Sequence, residues 1–153
     1  MSASITRTLI IREAGDSDLP AIIRIYAASG IDGTQSFTDE EARQHFKSFR
    51  EYPNYRLFVA SLRRQLVGAY SLLIMDNLAK RGARSGIVED LAVLPSHQRQ
   101  GIGRAIMQHA LEQCRLAGCY KLALSSNLNR EAAHRFYDSL GFERHGFSFA
   151  IRL

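Results

Sequence analysis

The sequence predicts an α/β (α+β) domain in which one sheet carries helices on its faces. Three observations predict it. Strand-like and helix-like runs alternate from residue 7 to the end; no linker long enough to separate two domains interrupts them; and 153 residues, 46% hydrophobic and 23% charged, suffice for one buried core. Residues 1–153 are therefore read as a single domain.

"RTLIIREA", residues 7–14, reads as the first strand. "DSDLPAIIRIYAAS" follows as a helix, with Asp and Ser available as caps, Pro20 in its first turn, and Ile22, Ile23 and Tyr26 on one side. In "TDEEARQHFKSFR", Thr38 and Glu41 stand three apart, the spacing in which each side chain bonds the other's backbone N–H at a helix start. "YRLFVASL" and "QLVGAYSLLIM" predict a hairpin turning at Arg63 and Arg64, followed by the loop "DNLAKRGARS". "GIVEDLAVL" is a β-rich run stopped by Pro95. A helix from Gly101 to about Ala117 closes at Gly118, which supplies the left-handed residue a helix end favours. "CYKLALSS" is the next strand, "NREAAHRFYDSL" a helix ended by Gly141, and "FERHGFSFAIRL" predicts one or two last strands.

Composition narrows the function. The longest apolar runs, such as "AYSLLIM", are too short to cross a bilayer, and the first residues lack the apolar core of a secretory signal; a cytoplasmic protein without membrane partner is expected. Cys114 and Cys119 have neither disulfide-framework nor CxxC spacing and read as reduced core thiols. No His/Asp/Glu cluster has dependable metal spacing, so no catalytic metal is expected. The net charge of +5 is spread along the chain without a Lys/Arg run or RNA-binding motif, which argues against nucleic acid and leaves a field suited to a small anion.

The chemistry concentrates in "VLPSHQRQGIGRAIMQHA", residues 93–110. Glycine costs about 0.8–1 kcal/mol against alanine inside a helix, so Gly101 and Gly103 at a helix entry need a reason. A strand feeding a glycine-rich turn that opens a helix makes an anion site, because the first-turn N–H groups and the helix dipole face the ligand. Gln98, Arg99, Gln100 and Arg104 surround the turn with donors suited to phosphate oxygens. A Walker A loop would need Lys and Ser or Thr after its last glycine, and a dinucleotide fingerprint would need a glycine where Ile106 stands.

"LAVLPSHQRQGIGRAIM" resembles the acyl-CoA-binding motif of the GNAT superfamily of N-acetyltransferases, with Gln98, Gly101 and Gly103 at its key positions, and "NREAAHRFYDSLGF" resembles that family's second segment, a helix carrying a tyrosine and ending in Gly-Phe. The order of elements is similar over nearly the whole chain. The resemblance implies a mixed, mostly antiparallel sheet of six to seven strands with about four helices, splayed between the fourth and fifth strands. It also implies acetyl-CoA as cofactor, its pantetheine arm laid along Leu91, Ala92 and Val93 like an added strand, and its diphosphate on the N–H groups of Arg99, Gln100, Gly101, Ile102, Gly103 and Arg104. Asn129 matches the family asparagine that contacts the arm, displaced by one residue, with Ser126 and Asn127 as alternatives.

Acetyl transfer through a tetrahedral intermediate needs a base for the amine, a donor for the oxyanion and an acid for the departing thiolate. Tyr137 matches the family's acid, and a backbone N–H near Ala92 or Val93 would serve the oxyanion. For the base, strand alternation sends Glu89 and Asp90 to opposite faces unless a bulge intervenes. Resemblance to several small-molecule acetyltransferases points to Glu89, while others carry the acid at the position of Asp90, and a water relay would serve either. His134, three residues before Tyr137, reads as structural, with contact to amine or cofactor as the alternative.

"AHRFYDSLGFERHGFSFAIRL" resembles aminoalkylphosphonate acetyltransferases and "IVEDLAV" glucosamine-6-phosphate acetyltransferases, which implies a small, anionic amine substrate. Arg81 and Arg84 of the basic loop "AKRGARS" suit an anionic substrate at the mouth of the site, with a solvated loop as an equal alternative. Alternatives are a non-catalytic acyl-CoA-binding or regulatory module, and an enzyme acting on a protein or peptide amine. The apolar "FSFAI" suits pairing with a second copy in a homodimer.

Overall fold

The computed structural model of the chain describes residues 8–32 and 35–153. They form two compact units, one ending at Ala123 and one spanning Leu124–Leu153.

The first unit is built on five strands in the order β1 (Leu9–Glu13), β2 (Tyr55–Leu62), β3 (Gln65–Met75), β4 (Arg84–Val93) and β5 (Cys119–Ala123). The first four are antiparallel neighbours and β5 runs parallel to β4. The helices are α1 (Leu19–Ser29), α2 (Asp39–Glu51) and α3 (Ile102–Leu116). The start of the expected first strand, Arg7, lies outside the described residues. The β2–β3 hairpin turns at Arg63 and Arg64, both left-handed at φ 50° and 68°, the conformation of a two-residue turn whose twist matches its strands. At the start of α2, Glu41 N–H donates to Thr38 Oγ1 at 3.2 Å and Thr38 N–H to Glu41 Oε2 at 2.8 Å, so the predicted cap is formed.

Each face of the sheet buries one apolar layer. Leu57, Val59 and Ala69 point toward α1 and α2, where Ala14, Leu19, Ile22, Ala42 and Phe46 complete a cluster. Alternation sends Phe58, Tyr70, Leu72 and Val88 to the opposite face. There α3 contributes Ile102, Ile106, Met107, Ala110 and Cys114, and it lies very close to the sheet. A side chain at Gly86 would run into Cys114 Sγ, and one at Gly68 would lie 2.9 Å from Ile106 Cδ1. Contact requires glycine at 86 and leaves little room for a side chain at 68.

Pairing between β4 and β5 covers only Arg84↔Cys119 to Ile87↔Ala123. β5 then stops, three residues short of the expected Ser126, and β4 continues through Val88–Val93 without it: this is the splay. No helix among the described residues is long and apolar enough to cross a membrane.

The second unit contains α4 (Glu131–Ser139), ended at the left-handed Gly141. The expected strands over 142–153 are not formed, and the sheet has five strands where six to seven were anticipated. Phe147, Phe149 and Ile151 alternate as a strand's would but are 86–91% exposed. A strand exists only through ladder bonds and a buried face that fixes register, and this segment has an apolar alternation without either.

Candidate active site

The irregular point of the sheet lies in β4. Ala69 pairs with Ala92 and Ser71 with Glu89, so two steps along β3 match three along β4. The surplus residue makes a β-bulge, and Asp90 takes it up at φ 52°, a left-handed conformation that Asp tolerates better than most residues. Strict alternation between Glu89 and Asp90 is thereby broken; the two are consecutive exposed residues between buried Val88 and Ala92.

The register shows where the acids lie. Tyr55 pairs with Leu73 and Ser71 with Glu89, which sets Tyr55, Ser71 and Glu89 on the α1/α2 face with Leu57 and Ala69. Tyr26, in the last turns of α1, packs against the same cluster. The Ser71 hydroxyl, buried at 2% exposure, interacts with both phenols. Burial, then the Asp90 charge, pushes Tyr26 and Tyr55 above the usual phenol range, so both stay protonated. Both side chains keep contact with solvent, but partial desolvation raises Glu89, with Asp90 adding to it, and raises Asp90, with Asp32 adding to it. Two carboxylates with enhanced proton affinity, beside neutral phenols, are equipped to take a proton from an ammonium group. Tyr55, Ser71 and Asp32 were not singled out from sequence; the available signal was a serine inside the apolar run "AYSLLIM".

Beyond the bulge, Leu94 N–H donates to Val67 O at 2.8 Å. Since successive residues present their N–H and C=O to alternate edges, Val93 faces the edge that β5 leaves open. Gln98 Nε2 donates to Val93 O at 3.1 Å, which joins the turn to that edge. The turn is held by His97 N–H to Leu94 O and by Gln100 Nε2 to Ser96 O. Arg99 (φ 61°) and Gly101 (φ 83°) are both left-handed around Gln100, a pattern that gathers backbone N–H groups toward one concavity. A Cβ at Gly101 would meet nothing within 4 Å, so its conformation, rather than close approach, calls for glycine. Gly101 caps α3, leaving the N–H groups of Ile102 and Gly103 without intrahelical acceptors, while the Ile102 side chain is core at 1% exposure. Turn and edge together suit a long ligand with a diphosphate at one end and an amide-bearing arm, as acetyl-CoA is.

The basic loop stands elsewhere. Arg84 opens β4 five residues before Glu89, about 16 Å along a strand, and its guanidinium binds Asp76 Oδ1 at 2.7 Å and Ala117 O at 3.3 Å. Of the two readings of the basic loop, these bonds and that separation favour for Arg84 the one without substrate contact.

Within the second unit, Asn127 Oδ1 accepts from Asn129 N–H at 2.9 Å, and His134 Nε2 donates to Asn127 O at 2.8 Å. His134 thus has a structural bond. Ser126 Oγ is buried without a hydrogen-bond partner. Tyr137 lies between the rings of Phe136 and Phe142, and burial raises its phenol above the ordinary range.

The sequence is similar to known proteins along most of its length. It is 37% identical over 81 residues to glucosamine 6-phosphate N-acetyltransferase of Trypanosoma brucei brucei, covering 53% of each chain. It is 34% identical over 101 residues to aminoalkylphosphonate N-acetyltransferase of Salmonella typhimurium, covering 66% of this chain and 65% of the other. The chain thus spans between half and two thirds of these curated relatives. A solved structure from Agrobacterium tumefaciens str. C58, described as an acetyltransferase, superposes with a TM-score of 0.88 at 30% identity, over 94% of this chain and 99% of that one. Residues 21–142, from α1 to the end of the α4 motif, match the model of one family across both units, and the chain belongs to that family, the acetyltransferase (GNAT) family.

Proposed function

We propose that the protein is an acetyl-CoA-dependent N-acetyltransferase that acts by direct transfer on the primary amine of a small molecule. The observation that carries this reading is the bulge, which brings Glu89 and Asp90 together just before an open strand edge and an anion-binding turn. Acetyl-CoA supplies an activated acyl group and a thiolate leaving group. Leu91–Val93 offers the edge for its arm; Arg99–Arg104 offers N–H groups and guanidinium charge for its diphosphate.

Glu89 takes the ammonium proton, with Asp90 keeping the pair's proton affinity high. The Val93 N–H, on the open edge, suits the developing oxyanion. Tyr137, kept protonated by burial, serves as acid to the thiolate. The carboxylates favour an acceptor arriving as a cation. Arg84, engaged at the far end of β4, is not placed to meet the anionic acceptors named for the two relatives. The exposed row Phe147, Phe149 and Ile151 suits a homodimer, to be read by sedimentation.

The test is thiol release from acetyl-CoA over an amine panel: 1,4-diaminobutane, glucosamine 6-phosphate, aminomethylphosphonate and a peptide with a free N-terminus. One small amine should turn over, and Tyr137→Phe should lower kcat by about 100-fold while acetyl-CoA affinity stays within about two-fold. Cofactor binding without turnover on any amine would instead make the chain an acyl-CoA-binding module.

A further inference from the structure

We infer that Tyr70 and His109 form a clamp that positions the bulged, carboxylate-bearing half of β4 by bolting β3 to α3 at the level of the bulge. The inference rests on the acetyltransferase reading above, because it assigns the clamp a part in catalysis.

Tyr70 occupies the one place on β3 where the pairing with β4 breaks. Its neighbours Ala69 and Ser71 pair with Ala92 and Glu89, so Tyr70 lies opposite the segment that holds the surplus residue. A strand pair loses ladder restraint at a bulge, and the position of the bulged residues then depends on what fixes the partner strand. Tyr70 is fixed from the other side of the sheet. It is fully buried, and its Oη lies 2.6 Å from Nδ1 of His109 in the middle of α3. Phe58 of β2 stacks on the Tyr70 ring at 5.1 Å, and His109 meets Phe58 edge-on at 4.9 Å, so three elements converge there. Arg56, held by Gln113 Oε1 at 2.9 Å, covers the outer face of Phe58.

The protonation states agree with that geometry. Burial keeps the Tyr70 phenol protonated, and burial, followed by Arg56, lowers the His109 pKa, so at neutral pH Oη donates and Nδ1 accepts. The first turn of α3 carries the anion-binding N–H groups, and two turns further along the same helix is His109. The clamp therefore sets the carboxylates of β4 and the diphosphate turn in one frame. Neither Tyr70 nor His109 lies on the acceptor face, so both are positioning residues. A shift of about 1 Å at a reacting group is enough to cost up to about 100-fold in rate, so a positioning loss is measurable.

The test compares Tyr70→Phe and His109→Leu, which remove the bond but keep the packing, with His109→Asn, whose Oδ1 stands near the place of Nδ1. Thermal unfolding reports the folded fraction, and turnover is measured with acetyl-CoA and the best acceptor of the panel. Backbone amide resonances of residues 88–93 are recorded without ligand. Expected are a fall in kcat of about ten-fold for the first two variants, KM for acetyl-CoA within about two-fold, displaced resonances at Glu89–Ala92, and substantial recovery of both kcat and the resonances in His109→Asn. Unchanged kcat per folded molecule, or resonances at 88–93 that do not move, would overturn the clamp, as would His109→Asn no better than His109→Leu. If the wild type acetylates no amine, the functional reading fails separately, and the amide resonances alone decide whether the clamp holds the bulge.

Discussion

Along β4, residues 84–87 and residues 88–93 are built differently. The first half is paired on both edges, with β3 and β5, and its Gly86 is packed against Cys114 so tightly that no side chain fits. The second half has lost β5, carries a left-handed Asp90 and sets two carboxylates side by side. One half spends its backbone groups on the sheet, and the other keeps an edge and two acids for a ligand. A single strand thus carries a half locked into the sheet and a half with a free edge, the division falling where its neighbour ends.

Substitutions in each half should break that division in opposite ways. Glu89→Gln should lower kcat by at least about 100-fold, equal to about 2.7 kcal/mol of transition-state stabilisation, with thermal stability unchanged or higher; steady-state kinetics and calorimetric unfolding check both. Gly86→Ala should do the reverse, destabilising by about 2 kcal/mol through overpacking against Cys114, with kcat per folded molecule preserved in a denaturant-calibrated assay.

Asp90→Asn should have a small effect on stability, with a definite sign. The Asp90 pKa is raised in the folded protein, so the native state holds more protons than the unfolded one between the ordinary aspartate value and the raised one. Stability therefore falls as pH rises through that window. Asn keeps the left-handed backbone and removes the charge, so the Tm of Asp90→Asn should exceed that of wild type above the window and converge with it at lower pH.

Local signals made most of the first unit legible in advance. The Thr38/Glu41 cap, the Arg63–Arg64 turn and the Gly118 helix end each depend on neighbours within a few residues, and each is formed. The QRQGIGR turn was legible for the same reason. What escaped was the product of distant pairing. Whether Glu89 and Asp90 diverge or stand together is decided by a two-against-three mismatch between β3 and β4, and no alternation within "VEDLAV" contains it. Tyr26 and Tyr55 meet at Ser71 only because α1 lies over that face of the sheet. The alternating "FSFAI" misled in the converse way: local pattern proposed a strand, and no ladder partner completes it.

Only the residues from Leu94 to Gly101 separate the open edge of β4 from the first turn of α3, and Gln98 stitches the two together. On the proposed reading the two grips act as a bivalent receptor of fixed span. A molecule long enough to engage both meets its second contact at the local concentration set by the first, whereas a fragment that reaches only one must bind on that contact alone.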